Sequence, residues 1–87
     1  MPTLCTRAAP ADEPVLLELM RAFYAEEQMV LDARCIAAMR ELVAAPALGS
    51  VFLLHHDSAV AGYWIMTFGY SLERGGRTAL LDELFIA

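Results

Sequence analysis

The stretch Val60-Ala61-Gly62-Tyr63-Trp64-Ile65-Met66-Thr67-Phe68-Gly69-Tyr70-Ser71-Leu72-Glu73-Arg74-Gly75-Gly76-Arg77-Thr78-Ala79-Leu80-Leu81-Asp82-Glu83-Leu84-Phe85-Ile86 decides how the chain folds. It reads as one long hairpin. Val60–Leu72 and Thr78–Ile86 are strands, rich in aromatic and branched residues, and Glu73–Arg77 supplies the turn chemistry between them. Gly75 and Gly76 are expected at positive φ, because glycine alone enters those regions without steric cost. Both strands are apolar on both of their alternating faces, as in Tyr63–Phe68 and in Leu80, Leu81, Leu84, Phe85 and Ile86. Strands of that kind belong to sheets covered on both sides.

Working outward, Val51–His56 is a further strand, joined to the hairpin by a tight turn at Asp57-Ser58. Upstream the apolar period changes to that of helices. Val15, Leu16, Leu19, Met20 and Phe23 mark a first helix to about Glu27, with Asp12 as a plausible N-cap and Pro14 tolerated in the first turn. Asp32 can cap a second helix whose buried side is Ile36, Met39, Leu42 and Val43; Pro46 and Gly49 end it. Thr3–Ala8 reads as a short first strand. The order is β-α-α-β-β-β, an α+β arrangement with a mainly antiparallel sheet. Two helices suffice for one face of that sheet. The other must be covered by residues not in this chain or by a second copy, the alternative being a small sandwich of two chains stacking their sheets.

Composition narrows the functional classes. The 87 residues hold at most one domain, are 59% hydrophobic and have a mean hydropathy of +0.49. The longest near-apolar stretch, Ala59–Tyr70, is far below the roughly 20 residues needed to span a bilayer. No basic-then-apolar leader is visible at the start, so a cytoplasmic protein without membrane association is expected. The net charge of −5 argues against nucleic acid. Cys5 and Cys35 fit neither a zinc knuckle nor a C-x-x-C motif, and buried packing is the default for both. His55 and His56 are adjacent on a strand and point oppositely. No third ligand has sensible spacing, so no metal is expected. Trp64 reads as core.

The hairpin Tyr70-Ser71-Leu72-Glu73-Arg74-Gly75-Gly76-Arg77, followed by Leu81-Asp82-Glu83-Leu84-Phe85-Ile86, resembles the strand 3 to strand 4 region of GNAT N-acetyltransferases. That region has a Y-S-x-E-x-G-G-R turn and a D-E-L-[FY]-V strand. Arg7-Ala8-Ala9 with Ala11-Asp12 looks like the family's R-x-A-x-x-x-D opening, and Val60-Ala61-Gly62-Tyr63 like its V-x-G-[YF] strand start. Phe23-Tyr24-Ala25-Glu26-Glu27-Gln28 is similar to the end of the first helix in the polyamine and diamine branch. The resemblance covers essentially the whole chain, but only the N-terminal half of the family's fold. The [RQ]-x-x-G-x-[GA] loop that holds the pyrophosphate of CoA at a helix N-terminus would begin where the chain stops, at Ala87.

The resemblance implies a half-domain of an acetyltransferase that moves acetyl from acetyl-CoA to a small primary amine, inactive until completed by a chain supplying the C-terminal half. A non-catalytic module that dimerises through its uncovered face is the other expectation. The chemistry requires an uncharged amine aligned with a polarised carbonyl. Alkylamines are mostly protonated at neutral pH, so a carboxylate must bind the ammonium and accept its proton. Asp82 and Glu83 are the candidates. Adjacency on a regular strand points them to opposite faces, leaving open which one reaches the site; one could instead pair with Arg74 or Arg77. The resemblance further implies backbone contacts from Leu84, Phe85 and Ile86 to acetyl-CoA. It also implies an acceptor pocket walled by Phe23, Tyr24, Glu27 and Tyr70.

Overall fold

A computed structural model describes residues 3–87. The strands are β1 (Thr3–Arg7), β2 (Gly49–His56), β3 (Ala59–Ser71) and β4 (Gly76–Ile86); the helices are α1 (Glu13–Glu26) and α2 (Ala33–Ala44). A 3-10 turn at Pro10–Asp12 leads into α1. The four strands form one sheet in the order β1-β2-β3-β4, every neighbour antiparallel. This is an α+β fold with the β-α-α-β-β-β order of the N-terminal half of the GNAT fold.

The two helices start differently. Asp32 caps α2 as expected, accepting the Cys35 N–H at 2.9 Å. Asp12 makes no side-chain cap to α1; its carboxylate accepts the Ala9 N–H at 2.8 Å and closes the 3-10 turn instead. At its far end α1 stops because Gln28 enters the left-handed region (φ 56°). Gln28 N–H then bonds Ala25 O, and Met29 N–H bonds Tyr24 O, the paired closure that left-handed residues give helix ends.

Both helices lie on one side of the sheet. Leu16, Leu19 and Met20 of α1 and Met39 of α2 are buried against Val51, Leu53, Tyr63, Ile65 and Phe85. Register explains why these strand residues share a face: Val51 pairs with Ile65, and Leu53 with Tyr63, which pairs with Phe85. The opposite face carries the alternate rows Phe52–Trp64–Leu84, Leu54–Gly62–Ile86 and Ser50–Met66–Leu81. Leu81, Leu84 and Ile86 are 56%, 50% and 66% exposed. No described helix covers this outer face.

Two expectations are corrected there. Trp64 is not core: it is half-buried on the outer face, stacked on Phe52 at 4.4 Å between ring centroids. Cys5 is exposed rather than buried, accepting the Trp64 indole N–H at 3.2 Å. The turns behave as their sequence requires. Gly75 and Gly76 have φ of 80° and 149°, and Asp57 and Ser58 both take positive φ, 51° and 66°. Positive φ at both central residues matches the right-handed twist of the flanking strands.

Candidate functional site

The site begins with an irregularity in β4. Glu83 pairs with Ile65 and Leu81 pairs with Met66, so Asp82 is one extra residue inserted between consecutive partners on β3. Such a bulge re-aims side chains and breaks strict alternation. Asp82 and Glu83, expected on opposite faces, therefore line the same cavity. That corrects the regular-strand reading.

The cavity, of about 400 Å³, lies between the two helices and the β3–β4 pair. Met20 and Tyr24 of α1, Cys35, Met39 and Leu42 of α2, and Ile65 and Thr67 of β3 form most of its wall. Three carboxylates reach it, Asp82, Glu83 and Glu41, and its lining contains no Arg. Apolar walls with a few convergent polar groups are the ordinary make-up of a small-molecule site.

Glu83 is the best-held group in it. Tyr24 Oη donates to Glu83 Oε2 at 2.6 Å, and Tyr63 Oη donates to Oε1 at 2.7 Å. The tyrosines come from opposite directions, one from α1 and one from the sheet. Burial, then the hydrogen bond and charge of Glu83, pushes both phenol pKa values well above the usual tyrosine range. Both hydroxyls thus remain donors at any pH near neutrality. Among the described residues, no ion pair engages Asp82 or Glu83. Arg77 lies over the Phe68 ring at 5.3 Å, and the Arg74 backbone N–H donates to Ser71 Oγ. The pairing of an acid with either arginine does not occur.

The far end of β4 offers backbone donors. Ala87 N–H bonds Ala61 O at 2.7 Å, so by the two-residue period of a strand Phe85 also faces β3. Leu84 and Ile86 then turn their N–H groups to the free edge of the sheet. The Phe85 side chain is buried in the core.

The other expected site residues scatter. Phe23 packs into the aromatic cluster with Tyr63 and Phe85, at 6.2 and 5.6 Å between centroids, behind the cavity wall. Glu27 is exposed just past the end of α1, outside the lining. Tyr70 is 76% exposed and pairs with Arg77 on the outer-face side of β3. Only Tyr24 joins the two acids. Tyr63 is the contributor that pattern reading missed. A tyrosine in an apolar strand needs a hydroxyl partner when buried, and that is the signal by which it could have been found.

Comparison with known proteins agrees with the fold. No family model and no curated protein matches the chain. Among solved structures, an integron cassette protein from the mobile metagenome of Cole Harbour Salt Marsh is similar, with 34% identity and a TM-score of 0.86 over 94% of this chain and 55% of that one. A possible acetyltransferase from Clostridium difficile 630 superposes with a TM-score of 0.83 at 15% identity, covering 99% of this chain and 58% of that one. The chain spans a little over half the length of either structure. No described helix is long and apolar enough to cross a membrane.

Proposed function

We propose that this chain is the acceptor-binding half of an acetyl-CoA-dependent N-acetyltransferase acting on a small primary amine. One observation carries the reading: the bulge at Asp82 sets two adjacent carboxylates on one cavity wall, at the strand whose next residues present free backbone N–H groups. An ammonium entering among Asp82, Glu83 and Glu41 meets negative charge on an otherwise apolar surface. Asp82 is exposed and has no ion-pair partner among the described residues, so it can take the amine's proton directly or through water. The amine lone pair then attacks the thioester carbonyl carbon, the C–S bond breaks as the tetrahedral adduct collapses, and the departing CoA thiolate takes up the proton that nitrogen loses. One of the edge N–H groups, of Leu84 or of Ile86, donates to the carbonyl oxygen and polarises it, as a preorganised donor does for a developing oxyanion. The resemblance of residues 23–28 to the polyamine and diamine branch favours an alkylamine acceptor.

The test grafts this chain in place of the matched segment of the integron cassette protein, which is 34% identical over it. Release of CoA thiol is then measured with a panel of small amines. Asp82→Asn should lower turnover at neutral pH by about 10²-fold or more, with recovery at high pH where the amine is already neutral. A graft that binds acetyl-CoA yet acetylates no amine rules the reading out. Undiminished turnover in both Asp82→Asn and Glu83→Gln removes the base assignment.

The exposed apolar outer face favours a second reading: a non-catalytic module whose two copies pack outer face to outer face. Contiguous apolar surface of this kind commonly marks an interface.

A further inference from the structure

We infer that Tyr24 and Tyr63 are positioning residues that clamp the Glu83 carboxylate in the cavity wall as a fixed anion, and that this clamp sets the cavity's preference for a charged amine over a neutral isostere. The inference rests on the amine-acceptor reading above. Each Glu83 oxygen receives one phenol hydroxyl, at 2.6 and 2.7 Å, the short range expected when the acceptor is ionised. The donors sit on different elements, so the carboxylate is held between helix and sheet and cannot turn away. Tyr63 is wholly buried, with 0% exposure. Its position is fixed by packing between Leu53 and Phe85 on either side.

With one lone pair of each oxygen committed, Glu83 keeps its remaining lone pairs for a donor arriving in the cavity. An ammonium presents three N–H donors and an alcohol only one. A carboxylate held at fixed distance discriminates between them more sharply than one that relaxes toward either. Both phenols stay protonated far above neutral pH, so the clamp is intact wherever the amine would be bound as a cation. Asp82 lacks any such clamp, which divides the two neighbours: Glu83 fixes charge and Asp82 remains mobile enough to exchange a proton.

The test uses the 87-residue chain with n-propylamine and its isostere n-propanol as probes, binding being read from amide chemical shifts at neutral pH. Wild type should favour the amine. Tyr24→Phe, Tyr63→Phe and Glu83→Gln should each reduce the amine-to-alcohol preference by about tenfold. Adding Tyr24→Phe to Glu83→Gln should cost nothing further, because the tyrosine acts only through that carboxylate. Circular dichroism establishes which variants fold; if Tyr63→Phe does not, the half-buried Tyr24 decides. An unchanged preference in folded Tyr24→Phe overturns the clamp and leaves the amine-acceptor reading standing. So does a full tenfold loss when Tyr24→Phe is added to Glu83→Gln. A wild-type chain that does not favour the amine overturns both.

Discussion

Tyr63 meets two demands with one side chain. Its ring fills the centre of the core beside Leu53 and Phe85, while its hydroxyl reaches Glu83 at 2.7 Å. Ionising it would set a phenolate against a carboxylate inside the fold, and the same holds for Tyr24. Both pKa values are therefore raised on folding. A raised folded-state pKa adds stability that is complete below the unfolded value, about 10 for tyrosine, and lost as pH climbs toward the folded value. Urea unfolding measured from pH 9 upward should show stability falling above pH 10, wholly buried Tyr63 contributing up to about 1.4 kcal/mol per pH unit and the more exposed Tyr24 less, its phenol being screened by solvent. Tyr63→Phe should lower that slope by half or more. A stability profile flat to pH 12 would contradict the hydrogen-bonded arrangement. Gly62 makes a different demand, for space: a Cβ there would sit 2.2 Å from Phe85 O and 3.1 Å from Ile86 Cα. Those are backbone atoms of β4 and cannot swing aside. Gly62→Ala should cost about 1–3 kcal/mol, as overpacking does, seen as a lower denaturant midpoint; an unshifted midpoint would show that β4 moves freely.

At the scale of elements, the β2–β3 turn shows a local rule that this sequence satisfies at a cost. Asp57 and Ser58 both occupy the left-handed region, which aspartate tolerates but which strains serine by roughly 1–2 kcal/mol. Ser58→Gly relieves that strain without touching the core. It should raise stability by about 0.5–1 kcal/mol, net of the extra entropy glycine brings to the unfolded chain. Thermal melting checks it, and a lowered melting temperature would count against this turn geometry. The same elements mark what can be read from sequence. The hairpin, the glycine turn and the Asp32 cap depend on neighbours within a few residues, and each is legible in the chain. The bulge at Asp82 is not, because it depends on how β4 registers against β3 across the hairpin, and nothing within Leu81-Asp82-Glu83-Leu84 records that register. One inserted residue there gathers both acids into the cavity. Tyr24 could be read at the site from the resemblance, whereas Phe23, one residue earlier on α1, faces the aromatic core, a distinction of helical phase too fine for motif matching. Trp64 lies on the outer face rather than in the core for a related reason: an apolar strand does not reveal which of its faces the helices choose.

At the scale of the whole molecule, the sheet is lopsided. One face packs on α1 and α2; the other exposes Leu81, Leu84 and Ile86 around the half-buried Phe52–Trp64 stack. Leu81, Leu84 and Ile86 pair with Met66, Trp64 and Gly62 in successive rows fixed by strand register, so these apolar residues neighbour one another rather than being scattered. In addition β4 has no strand beyond it among those described, leaving its outward N–H and C=O groups unpaired, and an open apolar edge invites pairing with another chain. Two copies packing about a two-fold axis meet one or the other of these demands, outer face on outer face or β4 beside β4, since a self-complementary patch closes after one contact. The expected state of the 87-residue chain is therefore a dimer by light scattering at micromolar concentration. Leu81→Lys with Leu84→Lys should return it to a monomer, because each lysine would set an unpaired charge in the contact. The helical core on the opposite face stays intact, so the far-UV circular dichroism should not change. If the parent chain scatters as a monomer, the outer face is not a self-association surface.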